Sequence, residues 1–276
     1  MRKFLLSLLA CGFSLPAYSV QTDCWIFPGT SGDYLTPPDV GHFRTGAFNP
    51  WNVFVIVNLD TLAQSGDGWL WESHRVSNDQ PNHGGQFDDN SDQFAVTYNQ
   101  AEQQGSVSVS ASTWYLVSYV YEGNNGNIIQ YVHTVPGGTL VDTDSAAPAN
   151  SQFSDSQAQQ VTFGSAWSGG SPTGEVDATM CLMGVLRDTE LSSTDLQNYA
   201  QDPLNTGDAW VTTYGSSFEL WYDDSAVDAT VNAAGAPTLN GTVSLGTSNG
   251  PDIPTRGTAR RRILFFGEDH LIPGVF

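Results

Sequence analysis

The sequence predicts an all-β protein, a two-sheet antiparallel sandwich with one short helix. Three observations carry that reading. About a dozen short runs rich in β-branched and aromatic residues recur along the chain, separated by turns bearing Gly, Asn, Asp and Pro. Several of these runs are apolar on both faces, as strands in the middle of a covered sheet must be. Helical periodicity is confined to one segment around Leu196. A chain of 276 residues is within the size that one large all-β domain reaches, and it shows no repeat of fixed period and no second core.

Residues 1–19 read as an export signal. Arg2 and Lys3 precede the apolar stretch Phe4 to Ala10, and Ala17 and Ser19 are small where a signal peptidase reads. Leu8-Leu9-Ala10-Cys11 also resembles a lipoprotein box, so the alternative to free secretion is a lipid anchor on Cys11. The apolar stretch is too short to span a bilayer, and no other segment is long or apolar enough.

The expected domain covers residues 20–250. Cys24 to Phe27 reads as an edge strand, and Gly29 to Pro38 as a turn-rich loop. Trp51 to Asn58 is a continuous apolar run, so a strand covered on both sides. Trp69 to Val76 is a strand, and Ser77 to Asp92 a long polar loop. Strand resumes at Gln93 to Tyr98 with Phe94, Val96 and Tyr98 inward, and Ser106 to Ser110 alternates as a half-buried strand would.

The centre of the chain is Thr113 to Tyr131, two strands about a turn. Trp114, Leu116, Ser118 and Val120 face one way, and Tyr115, Val117, Tyr119 and Tyr121 the other. Glu122 to Gly126 is the turn, since Gly and Asn tolerate the positive φ a hairpin needs. Asp142 to Gln160 reads as a loop, Gln160 to Gly164 as strand, Ser168 to Gly174 as a turn cluster and Ala178 to Leu186 as a buried strand. The helix follows. Ser192 to Asp195 caps it, Leu196, Tyr199 and Ala200 fall on one face, and Pro203 stops it. Phe218 to Tyr222 and Thr238 to Leu245 supply the last strands. Residues 251–276 form a tail with Arg256, Arg260, Arg261 and Arg262, read as an attachment signal, a segment docked on the acidic body or a frayed end.

The charge is lopsided, with 29 acids against 9 bases and a formal net charge of −20. Between Val20 and Thr255 there are 27 acids and three bases, Arg44, Arg75 and Arg187. Such a body repels nucleic acid and anionic membrane. The acidity fits solubility in a salty medium, and it also fits divalent cations held by some of the Asp groups. Removal of the signal leaves Cys24 and Cys181. Export places them in an oxidising compartment, where an even number pairs, so a Cys24–Cys181 disulfide is expected.

Three blocks resemble the laminin-G-like domains of the concanavalin-A-like jelly-roll superfamily. Trp114 through Tyr131 is similar to the hallmark hairpin, although Tyr131-Val132-His133-Thr134 stands where those domains usually continue Tyr-Val-Asp-Gly. Gly184 through Leu196 is similar to the late strand, turn and short capped helix. Leu220-Trp221-Tyr222 through Asn240-Gly241-Thr242 is similar to a bordering segment. The resemblance implies a two-sheet antiparallel jelly roll. It also implies a protein that binds glycans, glycoproteins or matrix partners, often with calcium; some relatives on that fold cleave glycans.

Several residues are candidates for chemistry. Asp88, Asn90 and Asp92 alternate on a polar stretch and offer oxygens to Ca²⁺, although Gln93 stands where an EF-hand needs Gly. Asp142 and Asp144 are a weaker pair of the same kind. Glu175 and Asp177 are similar to part of the Glu-x-Asp-x-x-Glu strand of retaining glucanases, but Met180 occupies the place of the second working Glu. His74 and His83 lack metal-ligand spacing and read as surface residues. Trp51 and Trp114 read as core, whereas Trp69, Trp71 and Trp167 sit beside loops and are the candidates for stacking on sugar rings. The expectation is a secreted, non-catalytic recognition module for a glycan or glycoprotein surface, with calcium as the candidate cofactor. The alternatives are a glycoside hydrolase or polysaccharide lyase on the same fold, or a structural surface or virion component.

Overall fold

The computed structural model describes residues 23–38, 49–64, 66–75, 80–98, 101–123, 126–147, 159–168, 170–203, 210, 213–214, 218–222 and 237–247. The export signal, Cys11 and the Arg-rich tail lie outside these residues.

Two antiparallel sheets pack face to face. The larger runs edge to edge through β10 (Leu140–Ala146), β9 (Ile128–Thr134), β8 (Trp114–Tyr121), β3 (Trp51–Leu59), β14 (Asp177–Arg187), β1 (Asp23–Pro28) and β17 (Ser244–Thr247), with β15 (Phe218–Tyr222) also paired to β14. The smaller runs through β16 (Thr238–Asn240), β2 (Tyr34–Thr36), β11 (Gln159–Phe163), β4 (Gly68–Arg75), β5 (Gln80–Asp88), β6 (Gln93–Tyr98) and β7 (Ala101–Gln104). A separate hairpin pairs β12 (Ala166–Ser168) with β13 (Ser171–Thr173). This is a two-sheet antiparallel jelly roll.

The alternation along β8 decides how the layers are filled. Val55 pairs with Val117 and both enter the core between the sheets; Ile56 pairs with Leu116 and both enter a second core on the outer side of the larger sheet. The second core is closed by α1 (Ser193–Gln201) and by Trp210, which stacks on Tyr199 with ring centroids 4.3 Å apart. Hence β3 and β14 are buried on both faces and read as unbroken apolar runs. Ser192 accepts from the backbone N–H of Asp195, and the Asp195 carboxylate accepts in return from the Ser192 N–H, a reciprocal cap. Asn52 is buried at the start of β3. It accepts from the Leu191 N–H and donates to the Thr189 carbonyl, which fixes the approach to α1.

Cys24 and Cys181 form the expected disulfide across the β1–β14 pair, within the second core. Asp33 fastens the adjoining edge of the smaller sheet. It is solvent-inaccessible and accepts from the N–H and hydroxyl of Thr30 and from the N–H and hydroxyl of Thr242, tying the loop before β2 to the turn after β16.

Some expectations change. Gln80–Asp88 is strand rather than loop, and the loop expected from Asp142 begins with strand, since β10 runs through Leu140–Ala146. Ser106–Ser110 is not a strand: the N–H groups of Ser106 and Val107 donate to the Asp142 carboxylate instead of to a neighbouring strand. Trp114 is half-buried against the second core rather than enclosed in the first. Helical backbone also occurs at Trp210, Thr213 and Tyr214, beyond the one helix read from the sequence.

Candidate functional site on the outer face of the smaller sheet

Two consecutive glycines explain why a polar stretch became β5. Gly85 faces inward, and a Cβ there would fall inside the ring of Tyr119. Gly84 faces outward, and a Cβ there would fall inside the ring of Trp69. The pair lets an aromatic ring close on the sheet from each side, which no other residue type would permit. Phe87, Phe94 and Val96 point into the core, so Gln86, Ala95 and Thr97 point outward by alternation.

Trp69 is therefore packed against the outer face of the sheet, half-buried. One edge of the ring covers Gly84. The other abuts Gly174, where an added Cβ would be 2.6 Å from Cδ1 and 3.1 Å from Nε1. Gly174 holds φ +62°, and its carbonyl accepts from the Trp69 N–H at 2.9 Å. Across the ladder Trp69 pairs with Gln86, and Gly84 pairs with Thr97. Gln86 is 1% exposed and Thr97 6% exposed, yet Gln86 Nε2 and Thr97 Oγ1 have no hydrogen-bond partner among the described residues. Buried polar atoms of this kind are expensive unless something supplies the missing bond.

The β12–β13 hairpin covers one flank of the same face. Its Trp167 N–H donates to Glu72 Oε2 at 3.2 Å, and the Trp167 ring meets Tyr34 edge-on at 5.5 Å. Glu72 is fully buried beneath it and also accepts from the Thr162 hydroxyl at 3.3 Å.

Carboxylates gather at the other flank. Asp67, Asp88 and Asp89 bring one oxygen each within 4.8 Å of one another. Burial pushes the Asp67 carboxyl above its ordinary range, and Glu102, Asp88 and Asp89 push it further. Burial also pushes Asp88 upward, but hydrogen bonds from Ser91 and Asn90 outweigh it and the net shift is downward. Asp88 accepts from the Asn90 N–H at 2.9 Å, the Ser91 hydroxyl at 2.7 Å and the Gln104 amide.

Of the sequence candidates, Trp69 and Trp167 sit half-buried on this face. Trp71 is corrected: it is fully buried between the sheets, edge-on to Trp51 and Tyr119, because a register shift after Trp69 turns it inward. Asp88 joins the carboxylate group. Asn90 turns its amide nitrogen to Asp88 at 3.3 Å, and Asp92 occupies a left-handed turn at φ 56°. His83 is buried on the inward face opposite Ser73, not at the surface. Glu175 accepts from the Gly32 N–H at 2.8 Å, while the Asp177 carboxyl, raised by burial and then by Asp60, lies at the start of β14. Sequence reasoning missed Asp67, Gln86, Thr97 and Glu102. Pairing of β4 with β5, and of β6 with β7, brings them together.

No protein-family model matches this chain, and no curated protein matches it. Solved structures do. A heptameric SAP-like pentraxin from Limulus polyphemus is 14% identical, with a TM-score of 0.55 over 84% of this chain and 98% of its own. A Bacteroides ovatus protein provisionally named as carbohydrate binding is 14% identical, with a TM-score of 0.58 over 86% of this chain and 63% of its own. The likeness establishes the fold alone: this chain shares the two-sheet jelly roll of these proteins.

Proposed function

We propose that this protein is an exported glycan-recognition module that grips its ligand on the outer face of the smaller sheet. The observation that carries the reading is Trp69 packed against Gly84 beside Gln86 and Thr97, whose buried Nε2 and Oγ1 have no hydrogen-bond partner among the described residues. A pyranose ring presents C–H groups to an indole face, and its hydroxyls both donate and accept. Gln86 Nε2 and Thr97 Oγ1 are shielded from solvent, so they would bond sugar hydroxyls only as the covering side chains shift on binding, and the nearby carboxylates would accept from other hydroxyls. Trp167 and Tyr34 offer a second aromatic surface on the hairpin side. The Cys24–Cys181 disulfide supports export to an oxidising compartment. Calcium fits the oxygen-rich group of Asp67, Asp88 and Asp89, where an ion would bridge carboxylates to ligand hydroxyls.

A glycan array probed with the folded protein, with calcium and with EDTA, tests the reading. The wild type is expected to bind at least one glycan, and Trp69→Ala to weaken that binding by about tenfold or more while leaving the circular dichroism unchanged. Full retention of binding by Trp69→Ala, or no binding to any glycan, would overturn the assignment. EDTA decides the calcium component separately.

A further inference from the structure

The charge around this face names the ligand class more narrowly, on the reading that the face binds glycans. Asp67, Asp88, Asp89 and Glu102 stand together at one flank, and Glu72 lies beneath the hairpin at the other. Opposing positive charge is scarce. The sequence from Val20 to Thr255 holds three arginines and no lysine, and the four tail arginines, Arg256 and Arg260 to Arg262, lie outside the described residues. Arg187 belongs to the larger sheet and pairs with Asp188 at 3.5 Å. The backbone of Arg75 closes β4 at the end opposite Asp67. Arg44 lies outside the described residues. Recognition of a carboxylate, sulfate or phosphate on a sugar relies on Arg or Lys, or on helix N-termini. None of these faces Trp69 among the described side chains. One dication among four carboxylates would still leave the flank negative.

We propose that the site takes neutral glycans and those bearing an ammonium group, and that it excludes uronic, sialylated and sulfated ones by electrostatic repulsion. Gln86 is the second, independent element. It is a neutral amide, 1% exposed and two residues before Asp88 on the same outward face, and it supplies a donor suited to a sugar hydroxyl or ring oxygen. Selection thus combines an uncharged donor at the floor with negative charge at the rim.

The test uses the folded full-length mature protein and matched oligosaccharides: chitin hexamer, its deacetylated ammonium form, a neutral hexose hexamer, and uronate and sulfated hexamers, at low and high salt. Neutral or ammonium forms are expected to bind about tenfold or more tightly than carboxylated or sulfated ones at low salt, with the gap shrinking as salt rises. Asp89→Asn combined with Glu102→Gln is expected to narrow the gap by admitting the anionic forms. Preferred binding of an anionic glycan by the wild type overturns this inference and leaves glycan recognition standing. So does a gap that neither salt nor the double substitution changes. Binding to none of the glycans removes the function on which the inference rests.

Discussion

At the scale of single residues, the fold depends on polar side chains that bond to backbone at long range. Asp33 is the clearest case. Its carboxylate accepts from two N–H groups and two hydroxyls across 209 residues of sequence, on Thr30 and on Thr242. Burial alone would raise its pKa, but the bonds from Thr242 and Thr30 overcome that and hold it below its ordinary value of 3.8. A carboxyl lowered in the folded state stabilises fully above 3.8, and that contribution disappears as pH falls below this value. Asp33→Ala is therefore expected to cost about 2–4 kcal/mol at neutral pH, because it strands buried N–H donors. It is also expected to flatten the acid limb of the stability curve below pH 4, both effects being read by urea denaturation. A variant with wild-type stability at both pH values would contradict this account. Trp69 and Trp71 show the limit of reading residues alone. They share a face in a regular strand, and one register shift in β4 sends Trp71 into the core while Trp69 stays on the outer face.

At the scale of elements, what was legible in the sequence had a local cause. The hairpin of β8 and β9, the apolar runs of β3 and β14 and the capped helix α1 all declare themselves through alternation, continuity or a cap. The Cys24–Cys181 bridge followed from compartment and count. Strand β5 did not declare itself. Its residues Gln80 to Asp88 are those of a loop, and it is a strand because Gly84 and Gly85 accept rings from Trp69 and Tyr119, which come from other strands. The carboxylate group was hidden for the same reason: Asp67 meets Asp88 only through the β4–β5 ladder. The disulfide gives this scale its prediction. It joins positions 157 apart in sequence, so its loss restores much freedom to the unfolded chain, about 5 kcal/mol on the chain-entropy model. Cys24→Ala with Cys181→Ser is expected to lower the urea midpoint steeply with an unchanged far-ultraviolet spectrum. An unchanged midpoint would show that the β1–β14 ladder holds that edge without it.

At the scale of the whole molecule, the two sides of the sandwich are built for different tasks. The outer side of the larger sheet is sealed by α1 and Trp210 and carries the disulfide, so it is a second core. The outer side of the smaller sheet is only partly covered by the β12–β13 hairpin and leaves Trp69, Trp167, Tyr34 and a group of carboxylates within reach of solvent. The excess of acids over bases repels anionic partners, and on the proposed function that face is where an uncharged, hydroxyl-rich ligand would meet aromatic surface. Amide hydrogen exchange, with and without the tightest-binding array glycan, tests this division most directly. The account predicts slowed exchange in β4, β5 and β6 around Trp69, Gln86 and Thr97, with α1 unchanged; slowing confined to α1 and the larger sheet would contradict it.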